Sequence, residues 1–119
     1  MSESAQQKAL FEWAAYNRGR HPALAMLYAI PNGGRRDAIT GARLKAEGVK
    51  AGVPDIALPV PNRGYHGLYI ELKVPEKSKA RVSAAQKDWI ENLRACGNAA
   101  HVCYGWEQAR DVILDYLGE

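Results

Sequence analysis

Three side chains in the middle of the sequence have the types and spacing for metal-assisted chemistry: Asp55, Glu71 and Lys73. Asp55 follows Pro54 and immediately precedes the apolar run Ile56-Ala-Leu-Pro-Val60. Glu71 and Lys73 stand two apart in Leu68-Tyr-Ile-Glu-Leu-Lys-Val74, and residues two apart in a strand leave the same face. If the two segments pair, Asp55 meets Glu71 at one end of a sheet. Carboxylates so placed repel one another unless a cation bridges them, and oxygen ligands suit hard Mg²⁺ or Mn²⁺. A lysine beside them can neutralise charge building up on a phosphoryl group or orient an attacking water. Together these groups are the equipment for metal-assisted phosphodiester hydrolysis, where the ion polarises the phosphate and lowers the pKa of its bound water.

Each piece alone has a plainer reading. Glu-Leu-Lys in an alternating strand is most often the solvated face of an antiparallel sheet, and Pro-Asp is a common turn. The order of the pieces, their short separation and the apolar residues around the charged strand favour the chemical reading.

The elements that must position these groups follow from pattern and punctuation. Ser2 or Ser4 can cap a first helix running to about Tyr16, with Leu10, Trp13 and Ala14 on one face. Arg18-Gly-Arg-His-Pro22 breaks it, and Ala25 to Ile30 reads as a short strand ended by Pro31-Asn-Gly-Gly34. Thr40 is expected to cap a short helix through Ala46, stopped by Gly48. Ile56–Val60 and Leu68–Val74 are expected strands, joined through a turn at Asn62-Arg-Gly64. On the second of them Leu68, Ile70, Leu72 and Val74 point one way and Tyr69, Glu71 and Lys73 the other. Ser83-Ala-Ala-Gln86 has capping-box spacing for a helix from Ala84 to Ala95, with Gly97 as its stop. A last strand, Ala99 to Tyr104, precedes a helix from Trp106 to Leu117 with Ala109, Val112, Ile113 and Tyr116 inward. Helices and strands mixed in this order favour an α/β sheet flanked by helices.

Composition sets the outer bounds. A chain of 119 residues, 47% hydrophobic and 24% charged, is ordinary globular material and is expected to form one domain over residues 1–119. Sixteen Lys and Arg against thirteen Asp and Glu give a net charge of +3, which permits an anionic partner without demanding one. Cys96 and Cys103 show no metal-ligand spacing and no disulfide framework. No apolar stretch approaches the roughly 20 residues of a membrane span, and the polar start Met-Ser-Glu-Ser has no signal-peptide core, so a cytoplasmic protein of a reducing compartment is expected. His21, His66 and His101 show no mutual spacing for a cluster; His101 is expected to pack in a strand and the others to be exposed. Trp13, Trp89 and Trp106 read as core or interface anchors rather than base-stacking platforms.

Taken together, Val53-Pro54-Asp55, Glu71-Leu72-Lys73 and Gln86 resemble the PD-(D/E)xK nucleases, and more narrowly the VRR-NUC (virus-type replication-repair nuclease) domain. The likeness covers nearly the whole chain: Pro31-Asn-Gly-Gly34, Gly48-Val-Lys-Ala-Gly-Val-Pro-Asp-Ile56, Tyr69-Ile-Glu-Leu-Lys73, Ser83-Ala-Ala-Gln86 and the late Gly97, Val102, Gly105 rhythm. It implies a restriction-endonuclease-like central mixed sheet flanked by helices. It also implies that Asp55, Glu71 and the carbonyl of Leu72 bind Mg²⁺ or Mn²⁺, that Lys73 supports nucleophile and transition state, and that Gln86 hydrogen-bonds within the site. At the third helical position Gln86 can equally close the capping box, and both can hold at once.

The resemblance further implies an acidic residue on the first helix, for which the chain offers Glu3 and Glu12. Relative to Leu10, Glu3 lies about 20° away on the apolar face and Glu12 about 200° away. Glu3 is therefore favoured, as a metal ligand directly or through water, although it lies at a terminus that can fray.

For DNA, the segment from Gly33 to Gly52 carries Arg35, Arg36, Arg43, Lys45 and Lys50 against Asp37 and Glu47. Glycines allow close approach to a phosphate chain, and Arg and Lys supply salt-sensitive affinity. Asn32, Arg35 and Arg36 are the stronger candidates here; Lys45 fits an ordinary solvated helix equally well. Lys77, Lys79 and Arg81 continue a basic group from Lys73 and could clamp DNA beside the cut phosphate. Nothing reads as base-specific, so backbone or shape readout is expected. By resemblance, a domain this short implies a homodimer that places two sites on branched DNA such as a four-way (Holliday) junction. The alternatives are a monomeric flap or nicking nuclease and a non-catalytic DNA-binding module.

Overall fold

The computed structural model describes residues 1–31 and 38–118. Among them a four-stranded sheet has the order β1 (Tyr28–Ala29), β2 (Ile56–Leu58), β3 (Leu68–Lys73), β4 (Ala99–Tyr104). Its first two pairings are antiparallel and β3–β4 is parallel. A parallel pair needs a crossover, and α3 (Ala84–Ala95) supplies it. Helices α1 (Glu3–Tyr16) and α4 (Trp106–Leu117) pack against one another and against β3, and α2 (Ala38–Ala46) lies between β1 and β2 in the chain.

The core is Leu10 and Ala14 of α1, Leu24 and Leu27, the sheet residues Ile56, Leu58, Leu68, Ile70, Leu72 and Cys103, and Ala109, Ile113 and Tyr116 of α4. Trp13, Trp106 and Val112 pack partly buried on its margin. The inward positions expected on the first and last helices are thus the ones that face the sheet. Tyr116 closes one end by donating its hydroxyl to the Val60 carbonyl at 2.6 Å.

Local chemistry explains why several boundaries fall where the sequence places them. Ser2 rather than Ser4 caps α1, its Oγ accepting the Ala5 N–H at 3.1 Å. Ser83 and Gln86 form the reciprocal capping box of α3. The bounds of α3, β4 and α4 match expectation.

Three readings need correction. Ala25 to Ile30 is not one strand: Pro22–Met26 forms a 3-10 helix and β1 keeps only Tyr28 and Ala29. Pro22 at the start of that helix has its φ preset and no N–H to lose there, so a run without a clear period coils instead of extending. Helix α2 already begins at Ala38, so Thr40 lies inside it and not at its cap. β2 stops at Leu58, where the chain turns and the Val60 N–H donates back to the Leu58 carbonyl at 2.9 Å instead of crossing to β3.

Of the histidines, His66 is exposed as expected, while His101 and His21 differ in their burial. His101 does sit in β4, but its side chain is exposed because β4 is a sheet edge, whereas His21 is half-buried where α1 gives way to the 3-10 helix. No helix among the described residues is long and apolar enough to cross a membrane. Cys96 is free and exposed, Cys103 free and buried.

Candidate active site

The site lies where β2 gives out and β3 continues. The register pairs Ile56 with Ile70. Continued by one step, it sets Asp55 opposite Glu71. One further step sets Pro54 opposite Leu72. Leu72 is a residue whose backbone groups face β2, since the adjacent Lys73 turns its carbonyl toward β4, accepting the Gly105 N–H at 2.8 Å. Pro54 has no N–H to give the Leu72 carbonyl. The Leu72 N–H is taken by a side chain instead, donating to Asp55 Oδ2 at 2.8 Å. Proline therefore ends the ladder, and the aspartate after it is fixed against β3 while the Leu72 carbonyl is left without its ladder donor.

The second wall is α3. Gly52, at φ +88°, lies so close to the first turn of α3 that a Cβ there would come within 2.7 Å of the Ala85 backbone. No other residue fits, and this contact brings the Asp55 loop against the helix that carries Gln86. Trp89, one turn on, fastens the same loop by donating its indole N–H to the Ala51 carbonyl at 3.1 Å. It is an anchor, as its type suggested.

Glu71 and Lys73 are not on a solvated face: they are 2% and 6% exposed. Their surroundings treat the two oxygens of Glu71 differently. Oε2 accepts the Gln86 side-chain N–H at 3.1 Å and lies 3.6 Å from Lys73 Nζ. Oε1 is buried without a hydrogen-bond donor. Gln86 meanwhile accepts the Ser83 N–H at 2.8 Å through its own oxygen, so capping and site contact do hold together.

Burial pushes the Glu71 carboxyl up to about 8; Asp55 adds repulsion and would share a proton with it, Lys73 pulls the value down, and the charge of Glu3 raises it further. A carboxylate in this position is stabilised by a proton or by a cation. The donor set fits a hard divalent ion: Asp55, the orphaned Glu71 oxygen and the Leu72 carbonyl are all oxygen ligands. Among the described residues no three or more Asp, Glu, His or Cys side chains gather closely enough to hold an ion by themselves. Glu3 therefore stands outside the carboxylate pair, exposed on the first turn of α1, near enough for its charge to act on Glu71.

The expected DNA contacts are spread more widely. Lys45 is exposed on α2, and Lys77 and Lys79 are exposed in a 3-10 turn just past β3. Lys77 Nζ rests 4.9 Å from the centre of the Tyr104 ring. Asn32, Arg35 and Arg36 lie outside the described residues. Two contributors escaped the sequence reading. Pro54 was visible as part of a motif, but its effect on Leu72 needs the register. Gln6, buried on α1, gave no signal, because a glutamine inside a helix is unremarkable by type.

A mixed sheet between helices, with Pro-Asp and Glu-Leu-Lys meeting at the end of two antiparallel strands, is the restriction-endonuclease-like arrangement of the PD-(D/E)xK nucleases. Within that class the chain belongs to the VRR-NUC domain family, which matches residues 2–107. It is similar to a solved structure described as a VRR_NUC domain protein, with a TM-score of 0.84 and 29% identity over 99% of this chain and 89% of that one. No curated protein matches the sequence. Membership makes the chain a nuclease-type, DNA-processing hydrolase.

Proposed function

We propose that the chain is a Mg²⁺- or Mn²⁺-dependent endonuclease that cuts branched DNA, acting as a homodimer on substrates such as a four-way junction. The observation that carries the metal reading is the buried Glu71 Oε1, which faces a second carboxylate and has no donor. A purely structural acidic pair would leave this cost uncompensated, so the non-catalytic alternative is the weaker account.

In this reading Asp55, Glu71 and the Leu72 carbonyl hold the ion, which when bound polarises the phosphate and makes water a better nucleophile at neutral pH. Lys73 supports the reaction from within the site. Lying 3.6 Å from Glu71 Oε2, its Nζ is held at the carboxylate pair, where it would orient a water and offset charge on a phosphoryl group. Gln86 keeps Glu71 turned so that Oε1 stays toward the ion. Lys45, Lys77 and Lys79, with Asn32, Arg35 and Arg36, grip the phosphate backbone without reading bases. The branched substrate and the dimer rest on resemblance to the family; a symmetric pair would supply two cuts. Residues 1–119 act as one nuclease domain in this account, and the free cysteines suit a reducing compartment such as the cytoplasm.

Labelled four-way junction, flap and linear duplex incubated with Mg²⁺, Mn²⁺ or EDTA test the reading, alongside Asp55→Ala and Lys73→Ala. Junction cleavage that needs metal and is lost in both variants is expected. Cleavage in EDTA, or wild-type rates in both variants, would remove the metal-nuclease account. Preference for flaps by a species that light scattering shows to be monomeric would replace the junction-resolving dimer with the flap nuclease.

A further inference from the structure

The first turn of α1 carries Glu3, and the first turn of a helix, whose leading N–H groups have no partner within it, holds its place only where packing or hydrogen bonds fix it. The buried residues of α1 are Gln6, Leu10 and Ala14. Leu10 and Ala14 fix the later turns by apolar burial, whereas Gln6, 4% exposed, is the one that fixes the first. Burying an amide is unfavourable unless it is hydrogen-bonded. Its partner lies a hundred residues away: Gln6 Oε1 accepts the Trp106 N–H at 2.8 Å.

Trp106 is the first residue of α4, so its N–H has no acceptor within the helix. The N-cap residue Gly105 has no side chain to provide one. Gly105 is held at φ +94°, and a Cβ there would come within 3.1 Å of Pro75. The capping oxygen must therefore come from elsewhere, and α1 supplies it. The same junction is joined to the site, since Gly105 donates its N–H to the Lys73 carbonyl at 2.8 Å. Glu3 lies three residues before Gln6, on the same side of α1. Hydrogen bonds at Gln6, Trp106 and Gly105 thus join the first turn of α1, which carries Glu3, to the end of β3.

We propose that Gln6 is a positioning residue: by capping α4 from α1, it sets Glu3 toward the Asp55–Glu71–Lys73 site, where Glu3 reaches the bound ion through water. The inference rests on the metal-nuclease reading above. The influence of the Glu3 charge on Glu71 agrees with the placement.

The test uses the whole chain and Mn²⁺ as probe, in wild type, Glu3→Gln, Gln6→Met, the double variant, Gln6→Glu and Asp55→Asn. Mn²⁺ affinity is read by calorimetry and exchange of the Trp106 amide by NMR. Gln6→Met keeps length and apolar bulk but removes the acceptor; if it does not fold, Gln6→Asn, one methylene short of Trp106, replaces it with the same expectation. Faster Trp106 exchange and Mn²⁺ binding weakened about tenfold are expected. The effect should match Glu3→Gln and should not add to it in the double variant. Gln6→Glu keeps the acceptor and should restore Trp106 protection and Mn²⁺ binding together. Wild-type Mn²⁺ affinity in Gln6→Met, or a fully additive double variant, would overturn the proposal. Failure of the wild type to bind Mn²⁺ would sink the metal reading itself. Binding abolished by Asp55→Asn but indifferent to Gln6 would sink this inference alone.

Discussion

The two halves of strand β3 are chemically opposite, yet the charged half is buried as well as the apolar one. From Leu68 to Ile70 the strand is flanked on both sides, by β2 and by β4, and Leu68 and Ile70 disappear into the core. From Glu71 to Lys73 it keeps β4 but has lost β2, and its outward-alternating side chains are charged and still enclosed. Withdrawing one neighbouring strand by a few residues turns a core element into a slot lined by backbone and carboxylate oxygens. The first half contributes folding free energy. The second buries a carboxylate whose charge is opposed by burial and by Asp55, and which a proton or a cation would stabilise.

Substitutions that exchange the properties of the halves would break this contrast. Glu71→Gln should lower cleavage by roughly 10³-fold, since it removes a ligand and the charge that holds the ion. It should change the metal-free thermal midpoint at pH 8 little, because relief of the repulsion with Asp55 offsets the loss of the pair with Lys73. Paired cleavage and melting assays read both, and a large loss of stability would show that Glu71 is a structural residue. Ile70→Ala, one position earlier, should do the reverse. It should cost about 2–5 kcal/mol in denaturant unfolding, with Mn²⁺ affinity retained wherever the variant is folded.

The difference in what could be read ahead has the same physical origin. The bounds of α3 were legible because Ser83, Gln86 and Gly97 act on their own neighbours. The facing of Asp55 and Glu71 was legible because an antiparallel register needs only two strands and a short connection. The burial of Glu71 and Lys73 was not, since alternation alone makes them a solvated face; the groups that meet Glu71, Asp55 on its loop and Gln86 of α3, come from segments that no local pattern places there. β1 misled for a related reason: a short apolar run without period is shaped by Pro22 and by the strand it meets, not by its own residues. Gln6 was invisible because its partner is remote.

A smaller effect sharpens the comparison through pH. Glu71 titrates near 8 in the folded chain against 4.5 ordinarily, so the metal-free folded state binds more protons than the unfolded state between those values. Its contribution is fully present below the unfolded value and is lost as pH rises toward 8, so the metal-free melting midpoint should fall over that window. Added Mn²⁺ should reverse the fall, with the largest stabilisation at the alkaline end, where no proton competes. A midpoint insensitive to metal across this range would count against the slot.

Smallest of all should be Lys77→Ala. Lys77 lies beyond the slot, exposed and resting on Tyr104. Binding of junction DNA should weaken uniformly across sequences and the salt slope should shrink by about 1, with the metal requirement unchanged.

The account turns on a cation bridging Asp55 and Glu71, and calorimetric titration of Mn²⁺ at pH 7 in two buffers of different ionisation enthalpy addresses it most directly. Binding that releases protons, and that disappears in both Asp55→Asn and Glu71→Gln, is the expected result. Binding of equal strength in those variants, or binding without proton release, would contradict it.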